Sequence, residues 1–335
     1  MTSCKNCSSP VDEKEQIHCT TCNATLHKEC AIKEDGNFYC DVCYTVKGEE
    51  KQEYNVEVPE VIRRSYIELY RTCPYAFYLN VIKGLDTTIS SYAQIGIDLH
   101  TLFERTSAGL LVGEDILIKE FDKYWETYKD EMFEADLHLY RDMDISTLRK
   151  KLKQQSYDAI STYYNVVLPT LPKQAFAVER TIQFSVGDDI PKVSMTMDRI
   201  DEIDGELEVS DWKTGNVMVG QKLSTDLQAP LYIYGIREEY KKPVRRFTLY
   251  YLSENKTRTY ERVDDDNYVC IVGKREYKIN LTDAIREVQH VFSQIKKGQF
   301  NIPRDTRSMY FACKTCTFQK IKRCEGADIE SWKQH

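Results

Sequence analysis

Apolar and polar positions after residue 60 recur first with a helical period and then with a strand-like period. The helical period covers four stretches, at residues 65–81, 94–111, 116–129 and 146–167. Ser65-x-x-Glu68 matches a capping box at the start of the first helix, and Pro74 should bend or break that helix. Strands are predicted at residues 175–186 and 193–203. This order predicts a domain of the α/β class.

A β-hairpin is predicted within residues 197–215, where two strand-like runs are separated by Asp204-Gly205. If these two residues form the loop, pairing is symmetric about them and Asp198 faces Asp211. This pair is not hydrogen-bonded, so its Cα atoms should lie about 4.5 Å apart. Lys213 lies on the same face as Asp211, because side chains alternate along a strand.

Two facing carboxylates should repel each other unless a divalent cation lies between them. Phosphodiester hydrolysis suits this arrangement, because carboxylates hold Mg²⁺ or Mn²⁺, which polarises the scissile phosphate and lowers the pKa of a bound water. The lysine would orient that water or offset developing charge. Considered by itself, the segment has an alternative interpretation as a surface hairpin with scattered charges.

The first fifty residues contain four pairs of potential metal ligands, which are Cys4 and Cys7, Cys19 and Cys22, His27 and Cys30, and Cys40 and Cys43. Four pairs suffice for two tetrahedral zinc ions. The segment has too few large apolar residues for a core, so metal binding should supply most of its folding free energy. The ligand order resembles a PHD finger, which implies a two-zinc cross-brace where the first and third pairs share one ion.

Composition and charge limit the possible classes of protein. The 335 residues are 41% hydrophobic and 30% charged, with no apolar run long enough to span a bilayer. The N-terminus lacks a secretory pattern, so we expect a cytoplasmic or nuclear protein whose clustered cysteines bind metal. The net charge of −7 does not indicate a nucleic-acid binder, but residues 296–324 contain eight Lys or Arg and one acid.

The hairpin resembles the active site of PD-(D/E)XK nucleases of the RecB type. Its Asp198 is followed by the run Asp211-Trp-Lys213-Thr-Gly, which looks like the central motif of that family. Residues 65–78 also resemble the opening helix of AddB and of the CRISPR-associated RecB-like nucleases. The resemblance implies a restriction-endonuclease-like core, in which helices flank a mixed sheet. We therefore predict an N-terminal finger at 1–46, a linker at 47–60 and a nuclease domain at 61–335.

Two further motifs match the family in the expected order. Gly96-x3-His100 resembles its Gly-x3-His motif, which implies that His100 is an additional metal ligand. Gln228-x3-Tyr232 resembles its Gln-x3-Tyr motif, whose residues would lie on one helical face and position the lysine and the DNA backbone. We interpret Glu179, on the strand before the hairpin, as ordinary strand polarity.

The remaining clustered cysteines are Cys73 and the run Cys313-x2-Cys316-x7-Cys324. They resemble the iron–sulfur staple of AddB and related nucleases, in which one early and three late cysteines hold a [4Fe-4S] cluster. Zinc at the same four cysteines is the alternative interpretation. The gap before Cys324 is longer than the family pattern. If the resemblance holds, the basic segment at residues 296–324, which contains the three late cysteines, would lie where DNA enters.

These motifs together predict a metal-dependent DNA nuclease with an N-terminal zinc module. The resemblance favours a single-strand exonuclease of 5′ to 3′ polarity that acts at free DNA ends in repair, recombination or end processing. Two alternatives remain. One is the nuclease subunit of a helicase-nuclease or CRISPR adaptation complex, with a helicase or other partner bound through the finger. The other is a non-enzymatic adaptor that binds DNA and protein, although intact Asp198, Asp211 and Lys213 argue against it.

Overall fold

The computed structural model of this chain describes residues 4, 11–12, 16–20, 25–34, 36–40, 57–85, 90–134, 136–137, 140, 143–302, 313, 316, 318 and 324. The chain divides into two compact units, Met1–Asn55 and Val56–His335. The predicted ligands Cys7, Cys22 and Cys43 and most of the basic segment lie outside the described residues. Within the described part, no helix is long and apolar enough to cross a membrane.

The N-terminal unit contains two short antiparallel hairpins. Their strands are β1 (Gln16–His18), β2 (Thr25–His27), β3 (Ile32–Glu34) and β4 (Asn37–Tyr39). The Thr20 N–H donates to the Phe38 carbonyl at 2.7 Å, which joins the two hairpins. A buried cluster in this unit consists of Cys4, Val11, Cys19, Leu26 and Cys40. Cysteine sulfur therefore replaces much of the hydrocarbon that a small core would otherwise need.

The second unit contains a sheet of eight strands and the helices that cover it. The strands are β5 (Val61–Arg63), β6 (Ala177–Phe184), β7 (Lys192–Ile203), β8 (Glu206–Lys213), β9 (Val244–Tyr251), β10 (Lys256–Arg262), β11 (Asn267–Val272) and β12 (Arg275–Asn280). The helices are α1 (Arg64–Thr72), α2 (Pro74–Phe77), α3 (Ser91–Ser107), α4 (Glu114–Trp125), α5 (Asp130–Glu134), α6 (Ile145–Thr162), α7 (Lys222–Thr225), α8 (Gln228–Tyr240) and α9 (Leu281–Lys296).

The sheet is mixed, with the order β12-β11-β10-β9-β8-β7. Strand β6 pairs with β7 in the antiparallel direction, and β5 pairs in parallel with the first residues of β7. Strands β8 and β9 are parallel, and α8 lies in the crossover between them. All other neighbours are antiparallel. This architecture confirms the predicted α/β class and the mixed sheet flanked by helices.

Helices cover both faces of the sheet. On one face, Trp212 of β8 belongs to a buried cluster with residues of α3, α4 and α6. On the other face, Tyr232 of α8 packs edge-on against Phe247 of β9, with ring centroids 5.5 Å apart. The central strands are therefore buried on both sides, as expected for the middle of an α/β sheet.

The start of α1 differs from the sequence-based expectation. Strand β5 ends at Arg63, which is the N-cap of α1 and makes no side-chain cap hydrogen bond. Because strand runs directly into helix, Ser65 lies within α1 and the predicted capping box is wrong. The carboxylate of Glu68 instead accepts the Leu227 N–H from a distant segment, at 3.0 Å. The expected break at Pro74 is confirmed, since α1 ends at Thr72 and α2 begins at Pro74.

Gly235 allows α8 to approach β6 and β7 closely. A Cβ atom at this position would lie 2.6 Å from both Met195 Cε and Phe184 Cε1, closer than real Cβ contacts.

We expect Gly235→Ala to lower the free energy of unfolding by about 1–2 kcal/mol, because overpacking outweighs the gain in helix propensity. Urea denaturation measures this change. Glu239→Ala, at an exposed position of the same helix, should stay within about 0.5 kcal/mol of wild type; an unchanged or higher stability of Gly235→Ala would contradict the packing argument.

Candidate active site

Strands β7 and β8 bring Asp198 and Asp211 together. The strands pair in the register predicted from the sequence, which places these two residues opposite each other. The loop residues Asp204 and Gly205 have φ values of 53° and 82°, as a type I′ turn requires. Asp198 is 6% exposed and Asp211 is 3% exposed. The hairpin therefore holds two buried carboxylates side by side at its open end.

Asp198 has one partner from α3 and one from β8. His100 Nδ1 lies 3.0 Å from Asp198 Oδ1, and the Trp212 N–H donates to Oδ2 at 2.5 Å. Burial by itself would lower the pKa of His100, but the neighbouring Asp198 carboxylate outweighs it and raises that pKa. The structure thus places the His100 predicted from the Gly-x3-His motif directly against the first carboxylate.

Asp211 is held by Gln228 and Lys213. Gln228 Nε2 donates to Asp211 Oδ1 at 2.8 Å, and Lys213 Nζ lies 2.6 Å from Oδ2. Oδ2 is buried and makes no hydrogen bond of good geometry, so Lys213 contributes to it as an ion pair. Burial raises the pKa of Asp211 above its ordinary value. Lys213 is the positive group that offsets the buried charge of this oxygen.

Tyr232 lies one helical turn after Gln228, and its side chain is buried. Its hydroxyl donates to the Thr196 carbonyl at 2.8 Å, two residues before Asp198. Its hydroxyl is therefore bound to the backbone of β7, and the role expected for Tyr232 and Gln228 in positioning the lysine and the DNA backbone stays a prediction.

Glu179 of β6 is the site residue that the sequence interpretation missed. One donor atom each from His100, Glu179 and Asp198 lie within 4.8 Å of one another. Glu179 has a left-handed φ of 45°, which is uncommon for a residue other than glycine. The grouping of donor atoms therefore favours Glu179 as a candidate metal ligand over ordinary strand polarity. No local rule within the sequence could have placed Glu179 in this group, because residues 185–191 connect β6 to β7 and a loop of that length leaves the register open.

The electrostatics of this group favour a divalent cation. Burial, reinforced by the negative charge of Asp198, raises the pKa of Glu179 to about 7. Burial thus disfavours ionisation of Glu179 and of Asp211, whose pKa values are both raised. Carboxylate oxygens and one imidazole nitrogen are donors that suit Mg²⁺ or Mn²⁺. His100, Glu179 and Asp198, whose donor atoms lie within 4.8 Å of one another, therefore fit a divalent metal ion, and Asp211 lies near Asp198.

Helix α3 is fixed against the end of β8 and against the helices beyond it. Gly96 faces the Thr214 hydroxyl. A Cβ atom added at Gly215 would clash with the Tyr92 hydroxyl. On its other side, the buried Asp98 accepts a hydrogen bond from the Tyr128 hydroxyl at 2.5 Å. These contacts hold His100 where it meets Asp198.

The four cysteines of the second group lie close together. Cys73, Cys316 and Cys324 pack against a small cluster formed by Ala76, Leu79 and Phe318. Burial and the neighbouring thiols raise the pKa of Cys313 to about 11, and the same two causes raise that of Cys73. Residues that are widely separated along the chain are thus brought to one place, as their assignment to a single site requires.

In the N-terminal unit, Cys4, His27 and Cys30 form a potential metal site. Their donor atoms lie within 4.8 Å of one another. His27 Nδ1 is 3.8 Å from Cys30 Sγ, and the His27 N–H donates to Cys4 Sγ at 3.4 Å. The predicted ligands Cys19 and Cys40 are buried. Sulfur and imidazole donors at this spacing suit a tetrahedral zinc ion.

Comparison with known proteins identifies the family of the second unit. The family model described as the PD-(D/E)XK nuclease superfamily matches residues 64–324. A search of curated protein sequences found no match. Among solved structures, the chain is similar to one titled "Crystal structure of SSO0001", with 16% identity and a TM-score of 0.31, over 84% of this chain and 91% of that chain. The family match includes every predicted active-site residue and all four cysteines of the second group. The chain therefore belongs to the PD-(D/E)XK nuclease superfamily, whose members are metal-dependent nucleases.

Proposed function

We propose that the protein is a DNA nuclease of the RecB type that degrades single-stranded DNA from an end. The observation that carries this proposal is the convergence of His100, Asp198, Asp211, Lys213 and Gln228 at the open end of one hairpin. The preference for exonuclease action, for 5′ to 3′ polarity and for a role in repair, recombination or end processing rests on the resemblance to RecB-like nucleases.

The side chains of this site divide into metal ligands and orienting groups. By the family resemblance, His100, Asp198 and Asp211 would hold Mg²⁺ or Mn²⁺. The grouping of donor atoms from His100, Asp198 and Glu179 supports Glu179 as an additional carboxylate ligand. When bound, the ion would polarise the scissile phosphate and make an attacking water more acidic. Lys213 brings a positive charge that offsets the charge developing on the phosphate. We expect good activity with Mn²⁺, because an imidazole ligand suits a transition metal better than Mg²⁺.

We propose a [4Fe-4S] cluster at Cys73, Cys313, Cys316 and Cys324. Besides burial, the three other thiols raise the pKa of Cys313, and Cys316 and Cys324 raise that of Cys73, so the four thiols are near enough to share one site. One early and three late cysteines are the pattern of the iron–sulfur staple, and four thiolates are what a [4Fe-4S] cluster needs. Zinc at the same four cysteines is the alternative.

We propose that residues 1–46, within the N-terminal unit, form a PHD-like finger with two zinc ions. Cys4 belongs to the first ligand pair, whereas His27 and Cys30 are the third pair, so their proximity supports the cross-brace arrangement. The finger would serve for docking, with a helicase or other protein as its partner. None of the residues that would hold zinc here is a predicted residue of the nuclease site.

Removal of Asp211 tests the nuclease activity directly. We expect Asp211→Ala to lower the rate of cleavage by about 1,000-fold, equivalent to about 4 kcal/mol, because a metal ligand is lost. Cleavage of single-stranded DNA labelled at its 5′ or 3′ end, with Mg²⁺ or Mn²⁺, measures the rate. Early release of the 5′ label would establish the proposed polarity.

Two controls make this result interpretable. DNA binding by Asp211→Ala should persist, because the substitution removes no positive charge, and Asp188→Ala at an exposed loop position should cleave at the wild-type rate. Cleavage by Asp211→Ala at the wild-type rate would refute the site. A metal-loaded wild type that cleaves only after addition of a helicase partner would identify the nuclease subunit of a larger complex instead.

The contribution of Glu179 to metal binding can be measured without cleavage. In the absence of added divalent cations, Glu179→Gln should raise Tm by about 2 °C, because it removes a negative charge beside Asp198. Added Mn²⁺ should then stabilise the variant less than it stabilises wild type. Glu126→Gln is the matched control, since Glu126 is exposed, is not one of the three grouped donors and does not contribute to the pKa of Glu179. Equal Mn²⁺ stabilisation of wild type and Glu179→Gln would exclude Glu179 as a ligand.

The cluster assignment predicts absorption of visible light. Protein purified without oxygen should absorb broadly near about 400 nm through thiolate-to-iron charge transfer, and Cys316→Ser should lose most of this absorption. Cys270→Ser is the matched control, because Cys270 lies in β11 and is not one of the four grouped thiols. A colourless wild type that contains only zinc would overturn the cluster.

A further inference from the structure

Two side chains of α1 reach the segment that leads into α8. The Glu68 carboxylate accepts the Leu227 N–H at 3.0 Å. Arg71 Nη2 donates to the Thr225 carbonyl at 3.1 Å. Glu68 and Arg71, here called the α1 clamp, therefore bind one amide and one carbonyl within three consecutive residues.

The members of the α1 clamp also hold each other. Arg71 Nη1 donates to both carboxylate oxygens of Glu68, at 3.1 and 3.0 Å. Arg71 Nε donates to Glu287 of α9 at 3.2 Å. About a quarter of each clamp side chain is exposed. Because the planar guanidinium makes bonds in three directions, its orientation and that of Glu68 are both determined.

The clamped segment ends at a residue of the active site. Leu227 is the N-cap of α8, and the next residue is Gln228, whose side chain donates to Asp211 Oδ1 at 2.8 Å. The backbone N–H of Gln228 is satisfied separately by Asp226 Oδ1 at 2.8 Å. The Glu68 carboxylate thus satisfies an amide at the start of α8, where a negative charge also interacts favourably with the helix dipole.

We propose that Glu68 and Arg71 are positioning residues of the nuclease, which hold the start of α8 so that Gln228 orients Asp211. This inference rests on the proposed function for its effect on catalysis. Both residues contact the segment that immediately precedes Gln228, and they act through Gln228. A displacement of about 1 Å at reacting groups can cost about 100-fold in rate, so a modest shift of the first turn of α8 matters.

A double-mutant cycle distinguishes positioning from a general structural role. We expect Glu68→Ala to lower kcat for cleavage of a single-stranded oligonucleotide with Mn²⁺ by about tenfold, with KM changed less than about twofold. In a Gln228→Ala background the same substitution should change kcat by less than about twofold, because the residue through which it acts is already absent. Arg71→Ala should behave in the same way in both backgrounds.

Glu287→Ala is the matched control, because it removes the α9 partner of Arg71 but leaves both contacts to the α8 segment. Its kcat should stay within about twofold of wild type. Thermal unfolding establishes that each variant is folded before rates are compared. The proposal is overturned if Glu68→Ala leaves kcat unchanged, or lowers it by the same factor with and without Gln228.

A second readout separates this proposal from the proposed function. The Mn²⁺ dissociation constant, measured by electron paramagnetic resonance on wild type and on the Glu68→Ala, Gln228→Ala and double variants, should show the same non-additive pattern. If none of these proteins cleaves DNA but the Mn²⁺ affinities follow the pattern, the nuclease function fails and the positioning role stands. If wild type cleaves and neither kcat nor Mn²⁺ affinity follows the pattern, only the positioning role fails.

Discussion

Burial of two carboxylates side by side is the constraint around which the nuclease domain is organised. Asp198 and Asp211 face each other across a tight hairpin, and both are almost inaccessible to water. Buried charges of the same sign are costly unless polar or positive groups surround them. Accordingly α3 brings His100 to the first carboxylate, α8 brings Gln228 to the second, and β8 itself supplies Lys213. A divalent cation between the oxygens would complete this compensation.

The alternation of side chains along the strands allows one short segment to serve both chemistry and packing. Asp211 and Lys213 of β8 lie on one face, whereas Trp212 between them packs into the helical core on the other. The adjacent strand follows the same principle. Asp198 belongs to the site, and the next residue, Arg199, forms a buried ion pair at 2.8 Å with Asp201. The catalytic face is therefore rigid because its opposite face is anchored.

The metal sites proposed for this chain differ in how they are related to the core of their unit. In the N-terminal unit the cysteines themselves form much of the buried cluster, so the same residues would form the core and bind the metal. In the nuclease domain the four grouped cysteines lie outside the sheet, and Cys73 directly follows α1. The same helix carries Glu68 and Arg71, which contact the segment before Gln228. One helix therefore leads directly into the cysteine group and contacts the segment that precedes a predicted site residue.

The sequence by itself determined the features that depend on local rules. A two-residue loop and the period of two along a strand fix the register of β7 and β8, and Pro74 ends α1 because it cannot continue the helix. Only the tertiary structure decided which residues from other segments complete the site. Glu179 lies on a strand whose register no short turn specifies, and Glu68 matches a local capping pattern but bonds instead to Leu227. Contacts between residues far apart in the chain depend on how whole elements pack, and no periodicity or spacing within one element contains that information.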